Sequence, residues 1–156
     1  MLSAPFSAGP EAWAFAEHYK RSLKSQLHLI IAKHPKYTWG GAKDLDEGLD
    51  CSGYVYLAAK WAGIPGVSRT TSFRMSQGFG GWESREIGPG EADDCDLVFW
   101  TFRENRPEGH VGVLLQDDRG RHRVTHSSAR RGVVLDVLRG PLRENPTKVR
   151  RLTIGE

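Results

Sequence analysis

The chain has 156 residues, of which 38% are hydrophobic and 26% charged, with a formal net charge of +3 at pH 7. This composition is ordinary for a soluble globular domain. The sequence contains no repeats, no low-complexity tracts and no apolar run long enough to span a membrane. Residues 1–6 have neither a basic start nor a long apolar segment, so we expect no signal peptide and synthesis in the cytoplasm.

The positive charge is concentrated in residues 103–151, which contain twelve Lys and Arg against six Asp and Glu. A basic surface suits a polyanion such as nucleic acid, anionic lipid or a carboxylate-rich polymer. Arg119, Arg121 and Arg123, however, alternate along a predicted strand and its turn, a pattern typical of a solvated strand face. Because the basic residues also lack interleaved aromatics and a known motif, we predict no nucleic-acid binding.

The first predicted element is a long helix over residues 10–34. Pro10 suits the first turn of a helix, and Pro35 prevents its continuation. Apolar side chains recur at three- and four-residue steps and form one stripe, which predicts a face buried in the core. The stripe consists of Trp13, Ala16, Tyr19, Leu23, Leu27 and Ile30.

A second helix is predicted over residues 52–62, with Gly63 at its C-cap and Pro65 beyond it. Cys51 lies at its start, where the partial positive charge of a helix N-terminus favours a thiolate over a thiol. Paired glycines at 40 and 41 predict a tight backbone approach near this cysteine. The alternative is a buried, inert cysteine, the commoner fate of a lone Cys in a small domain.

The rest of the chain predicts a loop followed by a sheet. Residues 67–94 are rich in Gly, Ser and Thr and form a long loop with a short helix at 72–77. Apolar, β-branched runs then predict strands at 97–100, 110–115, 122–126, 133–137 and 149–154, with a hairpin turn at 117–120. Helices first and sequential strands afterwards indicate an α+β domain with a meandering antiparallel sheet of about five strands.

Two histidines on the predicted strands are candidate partners for Cys51. A cysteine nucleophile needs an imidazole within hydrogen-bond reach and a third group that holds this ring. His110 begins one strand and His126 lies near the end of its hairpin partner, so His126 can orient His110. His122 competes for that role but lies beside the turn, at the far end from His110.

Metal and disulfide chemistry are both disfavoured. The spacing of Cys51, Cys95, His110 and His126 lacks the close pairs typical of structural zinc, so we predict no metal and no cofactor. A disulfide between the two cysteines is possible in principle, but a reducing compartment and two separate roles explain them more simply.

Six short motifs occur in one order along the chain. They are the residues 37–41, 50–53, 68–72 with Gln77, 96–99, 110–113 and 125–127. This order, over roughly residues 37–134, resembles the NlpC-type cell-wall peptidase family, a branch of the papain-like cysteine peptidases. The resemblance implies a single domain over residues 1–156, with an N-terminal helical segment (1–36) and a papain-like catalytic core (37–156). It also implies hydrolysis of peptidoglycan stem peptides, typically at the bond between D-γ-glutamate and a diamino acid.

The resemblance implies roles for the residues that match the motifs. Cys51 is the expected nucleophile, His110 the general base and acid, and His126 the residue that orients His110. The hydroxyl of Tyr37 is expected to stabilise the oxyanion, together with the backbone N–H of Cys51. A cysteine–histidine pair of this kind lowers the thiol pKa from about 8.5, so we expect a reactive ion pair at neutral pH.

Further residues are expected to bind substrate. Asp50 and Ser52 flank the nucleophile where several family members recognise the free amine of the first alanine of the stem. Arg69 is expected in the loop that borders the substrate groove. Asp94 and Cys95 stand where the family usually has Pro-Gly before a strand, so we expect Cys95 to be structural or incidental.

Two other functions remain open at this point. One is a structural protein with the same fold and no turnover, such as a phage tail component. The other is a toxin that uses the Cys–His pair as an acyltransferase or deamidase. We expect a monomer that acts on peptidoglycan peptides, with an immunity protein or a tail or secretion component as a further partner. It would act on cytoplasmic wall fragments, or at the wall after phage-type or secretion-system delivery.

Overall fold

The computed structural model describes residues 15–138 and 146–155, in which three α-helices precede six β-strands. The helices are α1 (Glu17–Lys33), α2 (Cys51–Trp61) and α3 (Ser72–Ser76). The strands are β1 (Ser84–Ile87), β2 (Leu97–Trp100), β3 (His110–Gln116), β4 (His122–Ser128), β5 (Gly132–Val137) and β6 (Pro146–Leu152). This arrangement confirms the predicted α+β class with helices packed on an antiparallel sheet.

The six strands form one antiparallel sheet in the order β1-β6-β2-β3-β4-β5. Strands β2 to β5 are the predicted meander, whereas β6 returns to lie between β1 and β2. Strand β1 is an addition to the expected set and lies in the stretch predicted as loop. Of its four residues only Ile87 is apolar and buried, so the segment lacks the alternating pattern that indicates a strand. Backbone pairing with β6 holds it in place.

Helix α1 begins at Glu17, later than the predicted start. Pro10 and Trp13, which supported the earlier start, lie outside the described residues. Ala16 is not helical, and its backbone N–H donates to the carbonyl of Ile154 at 3.2 Å. The predicted apolar stripe is buried at Leu23, Leu27 and Ile30; burying each such side chain stabilises the fold by about 1.5–3 kcal/mol.

Helix α2 is the most buried of the three helices, and two hydrogen bonds tie it and its approach loop to β4. Tyr54 is fully buried, and its hydroxyl lies 2.8 Å from the hydroxyl of Thr125. Before the helix, the carbonyl of Leu49 accepts a hydrogen bond from Ser127 at 2.7 Å. A cysteine at the start of α2 is therefore held against the β3–β4 hairpin.

The sheet buries side chains on both faces. Along β2, Leu97 and Phe99 point into the main core with the helices, while Val98 and Trp100 join a smaller apolar cluster. Since side chains alternate along a strand, this second cluster lies on the opposite face of the sheet. Within the described residues, no helix is both long and apolar enough to cross a membrane.

Candidate active site

Cys51 is the first residue of α2, and the loop before it is folded tightly against the helix start. Asp50 is the N-cap, and its carboxylate accepts hydrogen bonds from the backbone N–H of Gly53 at 2.6 Å and of Gly40 at 3.0 Å. A Cβ on Gly53 would collide with the carbonyl of Gly41. The tight approach predicted from the glycines is therefore present, and it fixes the backbone on both sides of the thiol.

The structure brings His110 and His126 into direct contact. The Nε2 atom of His110 lies 2.8 Å from Nδ1 of His126, and the two rings are nearly perpendicular. Gly112 makes room for this arrangement, because a Cβ there would come within 2.8 Å of Val124 and 3.3 Å of the His126 Cβ. His122 lies instead at the turn end of the hairpin, 3.3 Å from Asp93.

The thiol of Cys51 lies against the backbone on either side of His110. Its Sγ is 3.7 Å from the carbonyl oxygen of Gly109, and the backbone of Val111 lies close enough to lower the pKa of the thiol. Cys51 is 7% exposed. Nucleophile and base thus come from α2 and from the first residue of β3.

Burial sets the resting protonation of this pair. It raises the pKa of the Cys51 thiol, an effect that the Val111 N–H opposes and the charge of Asp50 reinforces. Burial and, to a lesser extent, the neighbouring His126 together lower the pKa of His110 to about 3. The geometry therefore favours a neutral thiol beside a neutral imidazole at pH 7. Both shifts run opposite to the ion pair expected from the sequence, because burial penalises both charges.

Two residues that the sequence analysis missed extend the contacts beyond His126. Its Nε2 lies 2.7 Å from Oδ2 of Asp136, and Arg131 donates to both carboxylate oxygens of Asp136 at 2.8 and 2.7 Å. The guanidinium of Arg131 and the His126 ring hold the pKa of Asp136 below its usual range. The signal that could have found Asp136 is its position as the single charged residue in the otherwise apolar β5.

The three predicted substrate-binding residues lie together beside Cys51. Arg69 donates to the carboxylate of Asp50 at 2.9 Å and to the hydroxyl of Ser52 at 2.8 Å. All of them line a cavity of about 380 Å³ that also contains Tyr37 and Cys51. A substrate amine at Asp50 and Ser52 would have to share these groups with Arg69.

Tyr37 is half-buried at the edge of the same cavity. Burial raises the pKa of Tyr37, and the nearby Cys51 and Asp50 raise it further. Its hydroxyl therefore stays protonated at neutral pH and can donate a hydrogen bond into the cavity.

A second cavity, of about 320 Å³, lies on the His110 side. It shares Tyr37, Trp39, Arg106 and Gly109 with the first cavity, so the two form one cleft that passes the thiol and the imidazole. The remaining members of its lining are Phe102, Arg103, His110 and Ala129. Among the described residues this lining contains two arginines and no acidic side chain. Arg106 lies over the ring of Trp39, 4.4 Å from its centre.

Cys95 is separate from the cleft. Both cysteines are free thiols, and Cys95 is buried in a left-handed backbone conformation with φ 70°. Burial raises the pKa of its thiol to about 12, so it is unreactive at neutral pH. In the described parts of the chain, no group of three or more His, Cys, Asp or Glu is placed to hold a metal ion.

An α+β fold with a cysteine at a helix N-terminus, packed against an antiparallel hairpin that carries two histidines, defines the papain-like class of proteins. Within this class, the family model of the NlpC/P60 family matches residues 34–151, and the chain belongs to that family. The family supports a cell-wall peptidase-like function in general, and its members are generally cysteine peptidases or amidases.

Comparison with solved structures found 19 matching chains. One is a protein of the NLP/P60 family described as similar to a lipoprotein, from Staphylococcus aureus subsp. aureus Mu50. It has 22% sequence identity and a TM-score of 0.64 over 89% of the present chain. The present chain spans 43% of the length of that protein, so the likeness concerns the fold. A search of curated proteins found no match.

Proposed function

We propose that the protein is a cysteine peptidase that hydrolyses amide bonds in the stem peptides of bacterial peptidoglycan. The expected target is the bond between D-γ-glutamate and a diamino acid. One observation carries this proposal: the thiol of Cys51 lies 3.7 Å from the carbonyl of Gly109, beside His110, whose ring is held 2.8 Å from His126. A nucleophile, a base and an orienting group are then in one place.

The neutral resting pair makes proton transfer part of the attack. His110 takes the thiol proton as Sγ bonds to the scissile carbonyl carbon, and the oxyanion accepts hydrogen bonds from the Cys51 N–H and the Tyr37 hydroxyl. His110 then gives its proton to the leaving nitrogen, so the C–N bond breaks and a thioester remains. Water, deprotonated by His110, hydrolyses the thioester. The products are a carboxylate and the regenerated thiol.

The charge of the cleft supports a substrate with acidic groups. Because His110 protonates the leaving amine, the cavity beside His110 receives the leaving group. Arg103 and Arg106 line this cavity, and they suit a diamino acid that carries a free carboxylate. On the acyl side, Asp50 and Ser52 are our candidates for the first alanine's amine, in a position shared with Arg69.

The decisive experiment is incubation with defined stem peptides, followed by mass analysis of the products. The wild type should release the diamino acid fragment, and Cys51→Ala should abolish this release. Cys95→Ala is the matched control, because it removes the other thiol and leaves the cleft intact. Cleavage that persists in Cys51→Ala contradicts the proposal.

A second experiment tests the charge of the leaving-group cavity. Arg106→Gln should raise KM for a substrate with a free carboxylate on the leaving group by roughly three- to tenfold, with little change in kcat. The corresponding carboxamide substrate should show no such dependence. Arg85→Gln is the control, since Arg85 is exposed on β1 at the far edge of the sheet.

The buried, neutral thiol favours one second candidate, a binding protein with this fold and no turnover. Alkylation separates the two, because a working base makes Cys51 react faster than Cys95 at neutral pH. Equal rates support the binding protein. Transfer or deamidation by the same cysteine–histidine pair would instead leave the stem peptides intact in the mass analysis. We propose separately that the protein acts either on cell-wall fragments in the cytoplasm or at the cell wall after phage-type or secretion-system delivery.

A further inference from the structure

Beyond Cys51, His110 and His126, we infer that Asp136 is a positioning residue: through His126 it determines which ring nitrogen of His110 carries the proton. This inference deepens the proposed function and rests on its assignment of Cys51 and His110. It gives a positioning role to the contact between His126 on β4 and Asp136 on β5, which no sequence motif indicated.

The contacts form a continuous series from the edge of the sheet to His110, the residue between Gly109 and Val111 on the strand that packs against Cys51. Asp136 lies on β5, one of the two edge strands, and its Oδ2 is 2.7 Å from Nε2 of His126. The other ring nitrogen of His126, Nδ1, is 2.8 Å from Nε2 of His110. His126 is 4% exposed, so water does not compete for either nitrogen.

Each contact fixes the next proton. Arg131 donates to both oxygens of Asp136, which keeps this carboxylate ionised and able only to accept. Nε2 of His126 must therefore carry a proton, and in the neutral ring Nδ1 is then a bare acceptor. Nε2 of His110 must carry the proton that this acceptor receives. Nδ1 of His110 is left with its lone pair, which is the form that the proposed role of His110 as base requires.

The same series stabilises the charge that forms during the reaction. When His110 becomes an imidazolium, its Nε2–H still donates to His126, which still donates to Asp136. The negative charge of Asp136 then lies two hydrogen bonds from the positive ring, in a buried setting where electrostatic interactions are stronger than in water. Arg131 opposes part of this effect while it holds the carboxylate in orientation.

The groups that face the two rings are few. His126 faces His110 on β3, Asp136 on β5 and Arg131 in the turn before β5. His110 also faces the aromatic rings of Trp100 and Phe102, at 5.7 and 5.4 Å between centres. Asp136 is the carboxylate that contacts His126 among the described residues.

Nitrogen-15 NMR of histidine-labelled wild-type protein at pH 7 reads the protonated nitrogens directly. We expect His110 and His126 both to be protonated at Nε2 and bare at Nδ1. A spectrum in which His110 carries its proton at Nδ1 overturns the inference. This measurement uses the unmodified protein, so it decides the question even if a variant fails to fold.

Replacement of Asp136 provides the second test. In Asp136→Asn an amide N–H can face His126 Nε2, which requires the reversed tautomer and places a proton on Nδ1 of His110. We expect the rate of Cys51 alkylation by iodoacetamide at pH 7 to fall by about tenfold or more, with the NMR pattern reversed. Asp136→Glu, which keeps an acceptor, should restore part of the rate.

Asp117→Asn is the matched control. Asp117 accepts hydrogen bonds from Arg121 and Arg123 at the turn end of the β3–β4 hairpin, so its loss removes a similar ion pair without touching His126. Its alkylation rate should equal that of the wild type. Equal rates in Asp136→Asn and wild type contradict the inference.

No peptide substrate enters these measurements, so they are independent of the proposed function. A protein with the expected tautomers that leaves stem peptides intact loses the proposed function and keeps this inference. If Asp136→Asn cleaves the peptides as well as the wild type does, the proposed function is kept and this inference is lost.

Discussion

The two ends of the β3–β4 hairpin each carry a histidine beside an aspartate, in different surroundings. At the site end His126 and Asp136 are 2.7 Å apart, with side chains 5% and 18% exposed. At the turn end His122 and Asp93 are 3.3 Å apart, with side chains 30% and 56% exposed. An exposed pair is screened by water and contributes little, whereas a buried pair fixes protons and orientation. Burial, more than residue type, distinguishes the two ends.

The largest expected difference between the ends is in catalysis. His126→Ala should lower the rate of stem-peptide cleavage by about 10²-fold or more, because His110 loses the partner that orients it. His122→Ala, at the turn, should leave the rate unchanged. Initial rates by mass analysis check both, and an equal loss in the two variants would remove the distinction.

A second difference is in stability. Gly112→Ala should reduce the free energy of unfolding by about 1–3 kcal/mol, because its Cβ has no space beside Val124 and His126. Gly120 at the turn has φ 75° and open space around it. Gly120→Asn should therefore stay within about 0.5 kcal/mol, since Asn tolerates this conformation. Urea unfolding measures both, and a neutral Gly112→Ala contradicts the packing described for His126.

The two ends should also respond to acid in different pH ranges. Burial lowers the pKa of His110 in the folded protein from 6.5 to about 3, so the unfolded chain takes up this proton first as the pH falls. The stability that depends on neutral His110 is complete above about pH 6.5 and is lost towards pH 3, by up to about 1.4 kcal/mol per pH unit.

At the turn, hydrogen bonds led by the backbone N–H of Arg121 lower the pKa of Asp117 from 3.8 to about 2. Its contribution is present above about pH 3.8 and is lost only as the pH falls towards 2.

Urea unfolding between pH 7 and 5 tests the contribution of His110. The free energy of unfolding should fall with pH in the wild type and should change less with pH in His110→Gln. Identical slopes would show that His110 is not buried as a neutral ring.

The smallest expected effect is that of Asp117 at the turn, whose side chain is 18% exposed while those of its partners Arg121 and Arg123 are 63% and 32% exposed. Asp117→Asn should lower the urea midpoint slightly at low ionic strength, because Asp117 loses its contacts with Arg121 and Arg123. At 1 M salt the wild type and variant should have the same midpoint, since the Debye length is then about 3 Å. A difference that persists at high salt would mean that these contacts are less screened by solvent than the exposure of the two arginines indicates.

Much of the fold could be predicted because its patterns are local. The apolar stripe of α1 and the apolar runs of β2 to β5 each predict, from neighbouring residues alone, which side chains are buried. Strand β1 could not be predicted, since its polar residues are a strand only through pairing with β6, more than sixty positions later. The start of β6 at Pro146 likewise depends on β2, which pairs Trp100 with it.

In the candidate site, too, some features could be predicted from the sequence and others depend on contacts in the folded chain. Cys51, His110 and His126 follow from motif order and hairpin geometry, which together place the two rings at one end of the hairpin. The contacts of Asp136 with Arg131 depend on side-chain torsions in β5 and the turn before it, which the sequence pattern does not predict. The protonation of the thiol could not be predicted either, because it depends on how completely the folded chain encloses Cys51.

The position of β6 has a consequence for how the protein forms during synthesis. Strands β2 to β5, which carry His110, His126 and Asp136, leave the ribosome before β6, the strand that joins β1 to β2. Until β6 arrives, β2 is an open edge with unpaired backbone groups, available to other chains. The nascent histidine pair can therefore assemble early, whereas protection of the sheet against aggregation comes last.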